Sequence, residues 1–124
     1  MAQNTIIKEY WDNGKLKSKT PYINGKINGI KKVYYENGKI HLKTPYVDGK
    51  ENGVQTWYYT SGKIQDEISY TDGKKNGIQK WFYENGEIVY ETPYTDGKEN
   101  GVENWYFTGW QKSREIPYTD DKKN

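Results

Sequence analysis

Glycine recurs in this chain at Gly14, Gly38, Gly62 and Gly86, a strict step of 24 residues. A second series runs Gly25, Gly49, Gly73, Gly97, and a third Gly29, Gly53, Gly77, Gly101. Tyr22, Tyr46, Tyr70, Tyr94 and Tyr118 keep the same step, as do Pro21, Pro45, Pro93 and Pro117, with Ser69 in the remaining place. Five copies in register over 124 residues describe an array of one stacked supersecondary unit. The longest gap between glycines inside the array is ten residues and usually contains a proline, which leaves no room for helix.

Each copy carries two turn signals. Asn37-Gly38 separates VYYE from KIHLK, and Asn-Gly between strand-like runs predicts a two-residue type I′ hairpin turn. The other, DGKENG at residues 48–53, reads as a longer turn. The fold class expected is all-β: an elongated, single-layer antiparallel sheet of about five tandem 24-residue β-hairpin repeats. One repeat domain covers 1–124, with units near 4–27, 28–51, 52–75, 76–99 and 100–121 and a charged tail at 120–124. Ten strands at ~4.8 Å would run roughly 45–50 Å.

With a two-residue loop, Glu36 pairs with Lys39 and Tyr35 lies opposite Ile40. Val33, Tyr35, Ile40, Thr44 and Tyr46 then share a face, followed by Trp57, Tyr59, Ile64, Ile68 and Tyr70, and by Trp81, Tyr83, Ile88, Thr92 and Tyr94. Each copy is expected to stack its rings on its neighbour's, Trp81 between Trp57 and Trp105, while Phe82 points to the other, mixed face. That mixed face carries Ile30, Lys32, Tyr34, Lys43 and Pro45.

Composition narrows the function. Aromatics make up 16% and the net charge is only +2, so no strong electrostatic drive toward nucleic acid or anionic membrane is expected. There is no cysteine, which excludes disulfides and thiolate metal sites. The start, MAQNTIIKEYW, has no apolar run long enough for a signal peptide. The chain is expected in the cytoplasm if whole, and exported or at the cell surface if a leader preceded it.

The stretch GKENGVQTWYYTSGK and its neighbours resemble the MORN-variant repeat of bacterial proteins, a Gly-Lys-x-x-Gly-x-x-x-x-Tyr-Tyr-x-x-Gly-Lys pattern followed by a Tyr before the next Gly-Lys. Gly49, Lys50, Gly53, Tyr58, Tyr59, Gly62, Lys63, Tyr70 and Gly73 match in place, and the resemblance runs from residue 4 to 119. It implies a MORN-like solenoid with an aromatic-lined groove. Family members are often described as YwqK-like antitoxins or as surface-associated bacterial proteins. The last copy departs from the pattern: Gly109 comes one place early, Trp110 fills the glycine slot, and Asp121 replaces the second-turn glycine. The first copy has Glu9 where later ones have Trp57, Trp81 and Trp105.

Catalytic chemistry is not written into the repeat. His41, the only histidine, holds a strand position filled elsewhere by Lys17, Gln65, Val89 and Ser113, and reads as an exposed strand residue. No base accompanies Ser18, Ser61, Ser69 or Ser113. Asp48, Asp72, Asp96 and Asp120 recur one per turn, which is turn chemistry rather than a calcium ligand set. The Gly-Lys pairs lack the strand-to-helix setting of a phosphate loop, and acids interleave with bases too evenly for single-stranded nucleic acid. No enzyme activity, metal or cofactor is expected.

The candidate binding and packing rings are Tyr35, Tyr46, Trp57, Tyr59, Tyr70, Trp81, Tyr83, Tyr94, Trp105 and Phe107. They serve as the core of a thin fold or, where one layer leaves them uncovered, as a groove for a protein partner. The function expected is a non-enzymatic interaction scaffold. The alternatives are an antitoxin with one dedicated toxin partner and a cell-wall choline- or glycan-binding repeat. No nucleic acid and no membrane span are expected, and an edge-mediated homo-oligomer is compatible with the open sheet. Because each hairpin leans mainly on its neighbours, a fragment ending at Gly53, about two units, is expected to be largely unfolded. Thermal melting beside the full chain checks this: a cooperative melt at the full-chain midpoint contradicts the array.

Overall fold

A computed structural model describes residues 3–107 and 111–123. Each copy contributes two long strands and one two-residue strand. They are β1 (Asn4–Tyr10), β2 (Leu16–Ile23) and β3 (Lys26–Ile27); β4 (Gly29–Tyr34), β5 (Ile40–Val47) and β6 (Lys50–Glu51); β7 (Gly53–Tyr58), β8 (Ile64–Thr71) and β9 (Lys74–Lys75); β10 (Gly77–Phe82), β11 (Ile88–Thr95) and β12 (Lys98–Glu99); and β13 (Gly101–Phe107), β14 (Gln111–Thr119) and β15 (Lys122–Lys123). The long strands lie side by side in chain order, antiparallel, in one open sheet, and each short strand folds back on the long strand before it.

The two turns exchange the roles expected of them. At Asn37-Gly38 the Tyr35 N–H donates to Lys39 O at 2.9 Å and the Gly38 N–H to Tyr35 O at 3.0 Å, so the loop has three residues, Glu36 to Gly38. Gly38 sits at φ +90° while Asn37 is not at positive φ. This is a type I turn closed by a left-handed glycine. Asn37 is wanted for its side chain, whose Oδ1 accepts the Lys39 N–H at 2.8 Å. The extra residue forces a β-bulge. Tyr34 lies opposite Ile40 and Val33 opposite Leu42, with His41 between. Equivalent shifts occur at Glu9/Tyr10, Trp57/Tyr58, Trp81/Phe82 and Trp105/Tyr106.

Ile40, Ile64 and Ile88 therefore leave the tryptophan face and join Tyr34, Tyr58 and Phe82 on the other. The rest of the expected face holds, since Thr44 pairs with Lys31 and Leu42 with Val33. The type I′ turn stands at the second signal instead. Asp48 and Gly49 take φ +49° and +85°, and Val47 lies opposite Lys50 across only these two residues. Asp120 and Asp121 repeat the turn at φ +49° and +73°, a conformation that Asp tolerates. Residues 120–123 of the charged tail thus form a turn and the strand β15. The reading of an altered turn at Gly109 and Trp110 lies outside the described residues.

Proline in a central strand lacks the N–H its neighbour expects. Here the neighbour breaks opposite it. Between β6 and β7 the chain kinks at Asn52-Gly53, the Asn52 N–H donates to Pro45 O at 3.0 Å, and no donor is needed in return. A Cβ on Gly53 would lie 2.9 Å from Pro45 Cγ, so the glycine is required by the ring beside it.

Both turn edges tie each copy to the next. Gly49, Gly73 and Gly97 N–H groups donate to Ile27, Glu51 and Lys75 carbonyls at 2.8 to 2.9 Å. At the other edge the Asn13 and Asn37 amides donate to Glu36 O and Thr60 O at 3.3 and 3.1 Å, and the Tyr35 and Tyr59 hydroxyls to Tyr58 O and Phe82 O at 2.5 Å. The hydroxyl of Ser61, in the third copy's asparagine place, accepts the Lys63 N–H at 3.4 Å and is too short to carry the asparagine's bond to the next copy. Ser61→Asn supplies the missing bond toward the fourth copy. It should raise stability by about 1 kcal/mol, read as a higher urea midpoint at unchanged slope; an unchanged midpoint would show that the asparagine ladder contributes nothing.

Candidate functional site

Residues paired across strands share a face, and the register lays out the tryptophan face in rows. One row runs Val33, Leu42, Trp57, Asp66, Trp81, Tyr90, Trp105. The tryptophans are therefore not stacked on one another, because a residue of the intervening strand stands between each pair. Asp66 separates Trp57 from Trp81, and Tyr90 separates Trp81 from Trp105. The Tyr90 ring lies 6.2 Å from Trp81 at an interplanar angle of 9° and 4.8 Å from Trp105. Arg114 closes the row with its guanidinium carbon 6.0 Å over Trp105. In the first copy the row starts as Glu9 and Ser18, joined by a 2.8 Å hydrogen bond from the hydroxyl.

The next row is polar and is the most buried part of the molecule. Thr44 and Thr92 are each 1% exposed, and Gln79, Glu103 and Asp66 are buried beside them. Thr92 Oγ1 donates to Glu103 Oε1 at 2.8 Å, and Glu103 Oε2 accepts the Trp105 indole N–H at 3.0 Å. Gln55 makes the same two links, donating to Thr44 Oγ1 at 2.9 Å and accepting from Trp57 at 3.3 Å. Gln55 and Glu103, two residues before Trp57 and Trp105, lie on the same side of the strand and meet the indole N–H, whereas Gln79 turns to Asp66 and Lys75. Buried polar groups are thus satisfied in pairs. Among the described residues Ile68 is the one buried hydrophobic side chain.

A third row carries Tyr46, Tyr70 and Tyr94, half-buried. The Tyr94 hydroxyl donates to Glu99 at 3.3 Å, with Lys75 Nζ 4.8 Å over its ring; burial and the adjacent Glu99 raise its pKa. Tyr35, Tyr59 and Tyr83 follow directly on the last residues of β4, β7 and β10, beside the first turns, half-buried. Phe107 closes β13 opposite Gln111, and its ring lies outside the described side chains. The structure thus brings nine of the ten candidate rings to one face. It adds Tyr90, Trp11 and His41, which sequence reasoning missed. Trp11 was legible, since it stands 24 residues before Tyr35.

His41 is not an exposed strand residue. As the bulge residue it turns onto the tryptophan face, half-buried, its ring stacked on Tyr35 at 4.2 Å and edge-on to Trp57 at 5.3 Å. Burial lowers its pKa. Next to it the ring row stops, because Val33 holds the tryptophan place. A hollow of about 470 Å³ opens there, lined by Trp11, Lys17, Val33, Tyr35, Glu36 and His41 among others. Lys17 Nζ sits 4.9 Å over the Trp11 ring, and the buried Trp11 indole N–H has no acceptor among the described residues. The hollow offers aromatic walls and a spare donor. It brings together no nucleophile with a base, and no group of three His, Cys, Asp or Glu suited to a metal occurs among the described residues.

A family model described as the MORN repeat variant matches residues 3–24, 27–48, 51–72 and 75–96, together well over half of the chain. Each match ends in a second turn, and the divergent fifth copy is not matched. No curated protein matches the chain.

Asp66 is 4% exposed between two indoles, with Gln79 Nε2 3.3 and 3.5 Å from its oxygens. Burial pushes its pKa up to about 6, against the Gln79 bond, which lowers it. Unfolded, the same carboxyl loses its proton at about 3.9. Between those two values folding takes up a proton, so the Asp66 contribution to stability falls as pH rises through that window and is flat above it. Asp66→Asn keeps an acceptor for Gln79 without the charge. It should stabilise the chain at pH 7.5, and the gain should shrink toward zero near pH 4. Urea unfolding at the two pH values reads it; an equal effect at both would place the carboxylate in a solvated setting.

Proposed function

The chain belongs to the MORN repeat variant family, and from that premise we propose that it is a non-enzymatic scaffold that holds a protein partner along its tryptophan face. The observation that carries this reading is the half-burial of the rings in a sheet with no second layer. Each ring is supported laterally by its row neighbours, and its outer surface stays open. Such surfaces are rigid, amphipathic and low in side-chain entropy, which suits them to partner contact. The ring row stops at Val33, and the hollow there takes a large apolar side chain of the partner, with the Trp11 indole N–H as a donor to a partner carbonyl. Tyr35, Trp57, Trp81, Tyr90 and Trp105 form the rail along which the rest of the segment lies.

The experiment is site-directed photocrosslinking in the cell of origin. A benzophenone amino acid at Tyr90 samples the tryptophan face, and one at Ile78 samples the opposite face. An adduct with another protein is expected from Tyr90 and not from Ile78. His41→Ala, at the edge of the hollow, should reduce that adduct severalfold with little change in melting temperature. No foreign adduct at Tyr90, or an equal one at Ile78, rejects the reading.

A further inference from the structure

We propose that the face opposite the tryptophans is where two copies of this chain join, face to face, with their arrays running in opposite directions. This surface is separate from the scaffold groove, and the two readings stand or fall independently.

The opposite face also has rows. At its outer edge every copy places a branched aliphatic beside a proline or its replacement: Ile6 opposite Pro21, Ile30 opposite Pro45, Val54 opposite Ser69, Ile78 opposite Pro93, Val102 opposite Pro117. These five aliphatics are between 41% (Val102) and 54% (Ile6) exposed. They form a continuous apolar stripe along the array, of the kind that marks contact surfaces. Near the first turns a second row holds Tyr34 with Ile40, Tyr58 with Ile64 and Phe82 with Ile88.

Between the two apolar rows runs a charged one, and its signs are ordered. Lys8, Lys19, Lys32 and Lys43 occupy four consecutive long strands as direct cross-strand partners. Thr56 follows, and in the remaining strands the acids Glu67, Glu91 and Glu115 outnumber Lys80. Like charges placed directly opposite destabilise a sheet, and Thr56 shows that the fold does not require lysine in this row.

A two-fold axis parallel to the strands resolves this. It reverses strand order and keeps position along each strand. Aliphatic row meets aliphatic row, aromatic row meets aromatic row, and the lysine end of one copy covers the glutamate end of the other. Lys32, on the third long strand from one end, meets Glu91, on the third from the other, and Lys8 meets Glu115. Lys19 over Asn104 and Glu67 over Thr56 set a charge on a neutral polar group, and Lys43 over Lys80 is the one like-charged pair. The interface is isologous, as a C2 dimer demands. Its size fits: ten strands at about 4.8 Å and six residues at about 3.3 Å cover on the order of 900 Å² per copy, against the ~800 Å² of a standard interface. Two twisted sheets pack this way in β-sandwiches.

Sedimentation velocity of the full chain at about 100 µM tests it, with twice the 14.6 kDa chain mass expected. A chain carrying Lys8→Glu and Lys32→Glu, and another carrying Glu91→Lys and Glu115→Lys, should each self-associate more than tenfold more weakly, because these are the charges that meet across the axis. Mixed one to one, they should regain the dimer. Register is tested separately: a Val54→Cys chain mixed with a Ser69→Cys chain should form an interchain disulfide on oxidation, because these positions meet across the axis and the chain has no other cysteine. The disulfide arm keeps the test valid if a charge-reversed chain folds poorly. A monomer at about 100 µM overturns the proposal. So do charge-reversed chains that fold and dimerise like the parent, and lysine-dependent binding to phosphatidylserine vesicles by a chain that stays monomeric.

Discussion

A sheet with one layer has nothing to bury its side chains against except the rows beside them. In this molecule lateral support takes the form of a hydrogen-bonded polar row beneath a row of rings. Glu103 accepts from both Thr92 and the Trp105 indole, and Gln55 bridges Thr44 and Trp57. These bonds hold the Trp57 and Trp105 indoles upright while their carbon surfaces lean on the next strand. An aliphatic core needs a second layer to exclude water. A row of paired polar groups needs only satisfied partners, which is why the most buried side chains here are threonines and acids rather than leucines.

The turns serve the same lateral logic. The tight Asp-Gly turn and the three-residue Asn-Gly turn each present backbone groups sideways to the copy 24 residues away. The glycine N–H groups at one edge, and the asparagine amides and tyrosine hydroxyls at the other, make the links. Neighbouring copies are coupled at both margins as well as through the strands. Among the described residues the bonds between copies join neighbours, so stability accumulates along the chain as in other repeat arrays.

The two faces divide by what the bulge does to them. Opposite Tyr34 and its equivalents the extra residue sends the isoleucines to one side and His41, Lys17 and their counterparts to the other. The tryptophan face gains a second tier of side chains at its rim, and the hollow beside Val33 sits within that tier. The opposite face keeps simple alternation. Its exposed aliphatics, tyrosines and sign-ordered charges make a flat, striped surface suited to another sheet.

The 24-residue period, the all-strand character and the parity that puts Val33 with Thr44 and Trp57 with Ile68 were all determined by sequence alone. They follow from glycine spacing and from the two-residue alternation of strands, which are local rules. Most candidate rings followed from the same parity, and the family pattern came with them. The choice between the two turn types was decided only by tertiary structure, because Asn-Gly and Asp-Gly both satisfy a type I′ turn. Here Asn37 is held out of positive φ by side-chain bonds to Lys39 N–H within the turn and to Thr60 O in the next copy. From that one extra loop residue followed the bulge, the move of Ile40, Ile64 and Ile88, the recruitment of His41, and Asp66 or Tyr90 between tryptophans that spacing alone would have stacked together. A partner one strand away is set by register between strands, and register is a property of the assembled sheet that no single strand's alternation contains.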